Sequence, residues 1–263
     1  MSSRIKEIFS RVKTENRKAL INYIVSGDPN LKTTLDIMNA MVEEGVDIIE
    51  LGVPFSDPMA EGDSIQKGHE RALENGTSLR DTFKLVEKFR ETNVETAIVF
   101  MGYMNTFESL GAQEFMIEAD KVGLDGILIV DMPPEESSDF TKYAEERSID
   151  IIRLIAPTTS SARSKIICSQ ASGYIYYISV KGITGAGNLD AEDVKINVKE
   201  LRQHTNLPIA IGFGIKDSAS ASSVKEVADG IVVGSVFVDL IGEGGDILKK
   251  VKDKTKELSE ALS

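Results

Sequence analysis

The chain has one cysteine, Cys168, and two histidines, His69 and His204, in 263 residues. A single thiol excludes an internal disulfide and any multi-cysteine zinc site. Two histidines leave no histidine-rich metal centre, so no metal is expected. Apolar runs reach only about eight residues, far short of the ~20 that span a bilayer. The opening MSSRIKEIFSRVKTENRKA is charged and amphipathic and lacks the apolar segment of a secretory signal. Basic residues are in deficit: 30 Lys and Arg stand against 42 Asp and Glu, a net charge of -12. That balance argues against nucleic acid as a ligand and points to a soluble, cytoplasmic protein. Any anionic ligand must then be held by local dipoles, because the overall field repels it. Hydrophobic content of 41% and charged content of 27% are those of an ordinary globular chain.

What the chain does have is a regular march of short apolar runs. They are ALINYIVS (19–26), DIIELGV (47–53), ETAIVFMGY (95–103), DGILIVDM (125–132), DIIRLIAP (150–157), GYIYYISV (173–180), LPIAIGFG (207–214) and GIVVGSVF (230–237). Most are continuous rather than alternating, the pattern of strands buried on both faces. Between them lie segments such as LKTTLDIMNAMVEEG and TSLRDTFKLVEKFRETN, with apolar residues three and four apart and charges opposite. Asn30 or Thr33 caps the first helix, and Thr77 or Ser78 the second. Repeated β-α units predict a parallel sheet, and eight of them favour closure. The expected fold is α/β, a single (β/α)8 TIM barrel over 1–263 with an N-terminal helix (about 3–13) plugging one end. Long loops are expected after the second and sixth strands, PFSDPMAEGDSIQKGHERALENG and KGITGAGNLD. Both lie at the C-terminal end of the strands, where barrels of this kind build their sites.

Glu50 interrupts the apolar run IIELGV. One reading is a carboxylate satisfied by a neighbouring cation or by backbone amides. The other is a general acid/base whose pKa is raised by apolar surroundings. Asp131, at the end of LIVDM, is either a site carboxylate or a helix cap. The seventh and eighth runs end in GFGI and VVGS, where glycines either end the strands or expose amide N–H groups to a phosphate. Tyr23, Met101, Leu128, Val130, Leu154 and Tyr176 fall at barrel positions that serve as core filler or as the wall of an apolar cavity. Asn105 reads as a turn residue, His69 and His204 as surface residues, and Cys168 as a small buried hydrophobe. Lys181 is either a solvated lysine or an iminium-forming one.

The segment ELGVPFSDPMAEGDSIQ (50–66) resembles the signature of the tryptophan synthase alpha chain family. The similarity continues in order through SGDPN, MGYMN, VDMPPEES, YYISVKGITGAG, IGFGI and VVGS, across about 210 residues. The resemblance implies a lyase of tryptophan biosynthesis that splits indole-3-glycerol phosphate into indole and D-glyceraldehyde 3-phosphate. Glu50 matches the family's acid/base glutamate, which protonates C3 of the indole ring. Glu61 falls where the family carries an aspartate that stabilises positive charge at the indole N–H, and Asp63 stands where a proline is common. The extra methylene shifts the carboxylate by roughly an ångström, a misplacement that can cost ~100-fold.

The same resemblance assigns Gly185, Phe213, Gly214, Gly234 and Ser235 to the phosphate. It assigns Tyr23, Met101, Leu128, Val130, Leu154, Tyr176 and Thr184 to the indole pocket. Tyr23 replaces a commoner phenylalanine and adds a hydroxyl to the cavity. Thr184 matches a threonine that closes over the substrate, while an arginine often found near Val180 is missing. Pro54, Asp57, Asn105 and Asp131 resemble the face that docks the beta chain. An α2β2 complex is implied, with indole passing to pyridoxal phosphate in the beta chain and no cofactor in this one. A stand-alone lyase releasing free indole, and a weakly active partner-binding subunit, remain the alternatives.

Overall fold

The computed structural model describes residues 3–179, 191–212 and 214–263. Among the described residues nine parallel strands follow from the eight apolar runs: β1 (Ala19–Val25), β2 (Ile48–Gly52), β3 (Ala97–Gly102), β4 (Gly126–Ile129), β5 (Asp150–Ile151), β6 (Arg153–Ile155), β7 (Ile175–Ile178), β8 (Ile209–Gly212) and β9 (Gly230–Val233). Their order is β5-β4-β3-β2-β1-β9-β8-β7-β6, every pairing parallel. The fifth run forms both β5 and β6. Its first half pairs with β4 and its second with β7, and the N–H of Ile152 between them still bonds to Ile127 at 2.9 Å. The two ends of the sheet therefore meet in one stave, and the barrel closes with eight. A stagger of this kind accompanies strand tilt in a closed sheet.

Alternation divides each strand between two cores. Inward residues, among them Ile21, Tyr23, Ile48, Val99, Leu128 and Tyr176, fill the barrel. Outward residues such as Leu20, Ile49, Phe100 and Ile231 meet the surrounding helices. That double burial is why the runs are continuous in the sequence. Helix α1 (Arg4–Thr14) presents Ile5, Ile8, Phe9 and Val12 to the barrel interior, sealing the N-terminal end as expected. Asn30 caps α2 (Leu31–Glu43) through a 2.9 Å bond from Thr33 N. Ser78 and Asp81 form a reciprocal capping box on the helix Leu79–Arg90. Cys168 is buried in the outer core. Among the described residues no helix is long and apolar enough to cross a membrane.

Candidate active site

Glu50 sits in the middle of β2, opposite Tyr23 of β1 and Val99 of β3. Alternation aims its side chain into the barrel, where none of it reaches solvent. Tyr174 donates its hydroxyl to Oε1 at 2.5 Å, whereas the buried Oε2 bonds to no described residue. Among the described residues no cation pairs with it, which favours the acid/base reading of the sequence over that of a carboxylate satisfied by a neighbouring cation. Burial pushes the Glu50 carboxyl up to about 7; the Tyr174 bond opposes this and the charge of Glu61 adds to it. A carboxyl near neutrality can both give and take a proton at physiological pH.

The loop after β2 brings Glu61 over the same space. Several bonds hold the loop down. Ala60 N donates to Tyr103 Oη at 3.0 Å, Phe55 stacks on the Tyr103 ring at 5.2 Å, and Gln66 Nε2 donates to the Glu61 carbonyl at 2.8 Å. Glu61 is 7% exposed, and burial pushes its carboxyl up to about 7 as well. Gln66 belongs to α3 (Asp63–Glu74), the helix that follows the loop.

Between the two carboxyls lies a cavity of about 540 Å³, within the range of small-molecule sites. Its apolar walls include Met101, Tyr176, Val232 and the ring of Tyr23. The rings fit only because two inward positions lack side chains. A Cβ on Gly52 would fall 2.2 Å from Tyr23 Oη, and one on Gly212 would fall 2.2 Å from Tyr176 Oη. At the polar end stand Gly214, Gly234 and Ser235. Helix α11 (Ser235–Gly242) starts there with Gly234 as its N-cap, and the N–H groups of Phe237 and Val238 return to the Gly234 carbonyl. The first-turn N–H groups before them have no helical partner and face an approaching anion. None of the described lining residues is Lys or Arg, so among them it is main-chain dipoles that attract an anion. Among the described residues no three His, Cys, Asp or Glu side chains gather as a metal-binding group.

A family model described as tryptophan synthase alpha chain matches residues 9–263. The tryptophan synthase alpha chain of Thioalkalivibrio sulfidiphilus is 50% identical over 241 residues, covering 92% of this chain and 91% of its own. That of Nitrosomonas europaea is 44% identical over 262 residues, covering 99% and 95%. A crystal structure of tryptophan synthase subunit alpha from Legionella pneumophila superimposes with a TM-score of 0.92 at 34% identity, covering 100% of this chain and 99% of that one.

The chain belongs to the tryptophan synthase alpha chain family.

Of the residues that the family resemblance singles out, Glu50, Glu61, Tyr23, Met101, Tyr176, Gly214, Gly234 and Ser235 all line the one cavity. Leu128 is fully buried in the barrel beside Met101, with Val130 and Leu154 half-buried against the same inner cluster. Thr184, Gly185, Phe213 and Lys181 lie outside the described residues. Asp57, Asn105 and Asp131 are exposed, and Pro54 is buried in the isolated chain. Asp131 proves to be a cap, but of the short helix α5 (Met104–Glu108) after the neighbouring strand: its Oδ1 accepts Met104 N at 2.7 Å. Asn105 accordingly lies on that helix rather than in a turn.

Two residues escaped the sequence reading. Tyr174, which holds Glu50, is the first of three tyrosines in the run GYIYYISV, and nothing in the sequence sets it apart from the other two. His69 was expected at the surface and is 2% exposed. Its sequence neighbours are charged, but the helical turn puts Gly68, His69 and Ala72 on the buried face of α3. There Nε2 meets Tyr23 Oη at 3.1 Å and Nδ1 accepts Phe55 N at 3.2 Å. His204 is half-buried, with Nε2 at 2.8 Å from Ser161 Oγ.

Proposed function

We propose that the chain cleaves indole-3-glycerol phosphate to indole and D-glyceraldehyde 3-phosphate as a carbon–carbon lyase, with residues 1–263 acting as one barrel domain. The observation that carries this reading is the pair of buried carboxyls, Glu50 and Glu61, over an apolar cavity that ends at the bare N-terminus of α11. Protonated Glu50 delivers its hydrogen to C3 of the indole ring, and the ring nitrogen takes up the positive charge. Glu61, as a carboxylate near the ring N–H, offsets that charge. Glu50 then withdraws the proton from the hydroxyl on the carbon attached to C3. The O–H electrons become the aldehyde C=O, the carbon–carbon bond breaks, and its electron pair returns to the ring. Glu50 ends protonated, as it began. Repulsion between two nearby carboxylates favours the state this sequence needs, one protonated and one ionised.

Gly214, Gly234 and Ser235, with Gly185 and Phe213, receive the phosphate through main-chain N–H groups. Tyr23, Met101 and Tyr176, supported by Leu128, Val130, Leu154 and Thr184, enclose the indole. The protein works in the cytoplasm as the alpha part of an α2β2 complex, docking the beta chain over Pro54, Asp57, Asn105 and Asp131. Indole passes to pyridoxal phosphate in that partner, and this chain carries no cofactor of its own. The exposed Asp57, Asn105 and Asp131 at the site end of the barrel support that docking face. Indole release from indole-3-glycerol phosphate, with and without a beta chain, tests the reading. Slow cleavage that accelerates on adding the partner is expected. No release in either condition refutes the lyase, and equal rates in both indicate a stand-alone enzyme.

A further inference from the structure

One buried pair has no part in these proton transfers. Burial holds the His69 imidazole neutral, with a pKa lowered to about 4. A backbone N–H can only donate, so the bond from Phe55 N at 3.2 Å leaves Nδ1 without a hydrogen. The single hydrogen of the neutral ring is then on Nε2, donated to Tyr23 Oη at 3.1 Å. The hydrogen of Tyr23 itself must point elsewhere. Its oxygen lies in the recess over Gly52, in the wall of the cavity that holds both carboxyls.

That hydrogen needs an acceptor once a ring fills the cavity and water leaves, because a buried unpaired hydroxyl is costly. Glu50 Oε1 is already taken by Tyr174, and Oε2, without a partner among the described residues, carries the hydrogen that protonated Glu50 delivers to the ring. Among the described residues no side chain donates to the Glu61 carboxylate, which lines the same cavity as Tyr23. Burial first, and then the charge of Glu61 ahead of those of Tyr103 and Glu50, push the Tyr23 phenol well above its ordinary value and keep it a donor.

We infer that Tyr23 and His69 form a positioning pair, in which His69 orients the Tyr23 hydroxyl so that it donates to Glu61 and holds that carboxylate ionised over the substrate ring. The same histidine grips Phe55 at the root of the loop that carries Glu61, so barrel wall and loop are fixed by one side chain. Glu61, one methylene longer than the aspartate implied at this position, has more freedom to restrain.

The inference rests on the lyase reading and is tested on the full chain with its beta partner, by cleavage of indole-3-glycerol phosphate. Tyr23→Phe and His69→Leu should each lower kcat about tenfold, the lower end of the effect of a hydrogen bond to a charged group, with KM changed less than about twofold. The double variant should be no slower than either single one, because the two act as a unit. His69→Gln, which restores an N–H donor, should recover most of the loss. In a Glu61→Gln background Tyr23→Phe should lose its effect. The acid limb of the kcat profile should move to higher pH in Tyr23→Phe, since an ionised carboxylate has lost a donor. Tyr23→Phe at the wild-type rate across that profile, or an undiminished effect without the Glu61 charge, overturns the pair alone. A wild type that releases no indole overturns it together with the lyase reading. If His69→Leu fails to fold, the Tyr23→Phe and Glu61→Gln cycle decides.

Discussion

Replacing Glu50 with glutamine separates what this residue does for chemistry from what it costs the fold. The amide has nearly the same shape and can still accept the Tyr174 hydroxyl, but it neither gives nor takes a proton. General acid–base catalysis contributes ~10²–10⁴-fold, so kcat should fall by that factor with KM little changed. Stability should move the other way, and only above a certain pH. Burial raises the Glu50 carboxyl from 4.5 to about 7. Below 4.5 it is protonated in both folded and unfolded chains, and the substitution changes little. Above 7 the unfolded chain ionises freely while the folded chain must bury the charge. The gap between those values corresponds to about 3 kcal/mol, an order-of-magnitude figure for so buried a group. Glu50→Gln should therefore match the wild type near pH 4.5 and exceed it progressively up to pH 7–8, where the difference levels off. Denaturant unfolding of both chains at pH 4.5, 6 and 8 measures this through the midpoint. A stability difference independent of pH would refute the buried-acid account, and so would a Gln variant that still cleaves at the wild-type rate.

Other positions carry their own expectations. Gly234→Val should raise KM for the phosphate ester at least tenfold with a smaller effect on kcat, because even a Cβ would sit 3.3 Å from Tyr23 Cβ and the branches would crowd the phosphate end; an unchanged KM in steady-state kinetics would count against the cradle. Glu61→Asp should retract the carboxylate and slow cleavage by up to ~100-fold, whereas a faster variant would mean the natural side chain is too long for its task. Phe9→Ala should destabilise the chain by ~3–5 kcal/mol and, by freeing the Tyr174 ring that Phe9 packs against at 5.8 Å, move the Glu50 limb of the pH–rate profile upward; thermal unfolding and the profile together check it.

The barrel was legible in the sequence because strands covered on both faces leave unbroken apolar runs, and Glu50 was conspicuous as an acid in the middle of such a run. The long interval after the second run likewise marked where the site would open. What stayed hidden depends on distance or on rotation. DIIRLI reads as one strand, and only its two partners, β4 and β7, divide it at Ile152. MNTFE forms a helix of five residues, too short for any period to show. The bond from Tyr174 to Glu50 joins residues 124 apart, across the barrel. His69 sits among Lys67, Glu70 and Arg71, and nothing but the phase of the helix tells that it faces inward.

The recesses over Gly52 and Gly212 tie the evolutionary freedom of four positions together in twos. A methyl gained at 52 collides with the oxygen at 23, and one gained at 212 with the oxygen at 176, so neither member of a couple can drift by itself. Gly52→Ala or Gly212→Ala alone should unfold more easily, and phenylalanine opposite gives no relief, because the ring carbon Cζ would itself lie 2.7 Å and 2.5 Å from the new Cβ; only a facing side chain without the ring should restore tolerance. Substitutions that look forbidden one at a time are open to this barrel as pairs.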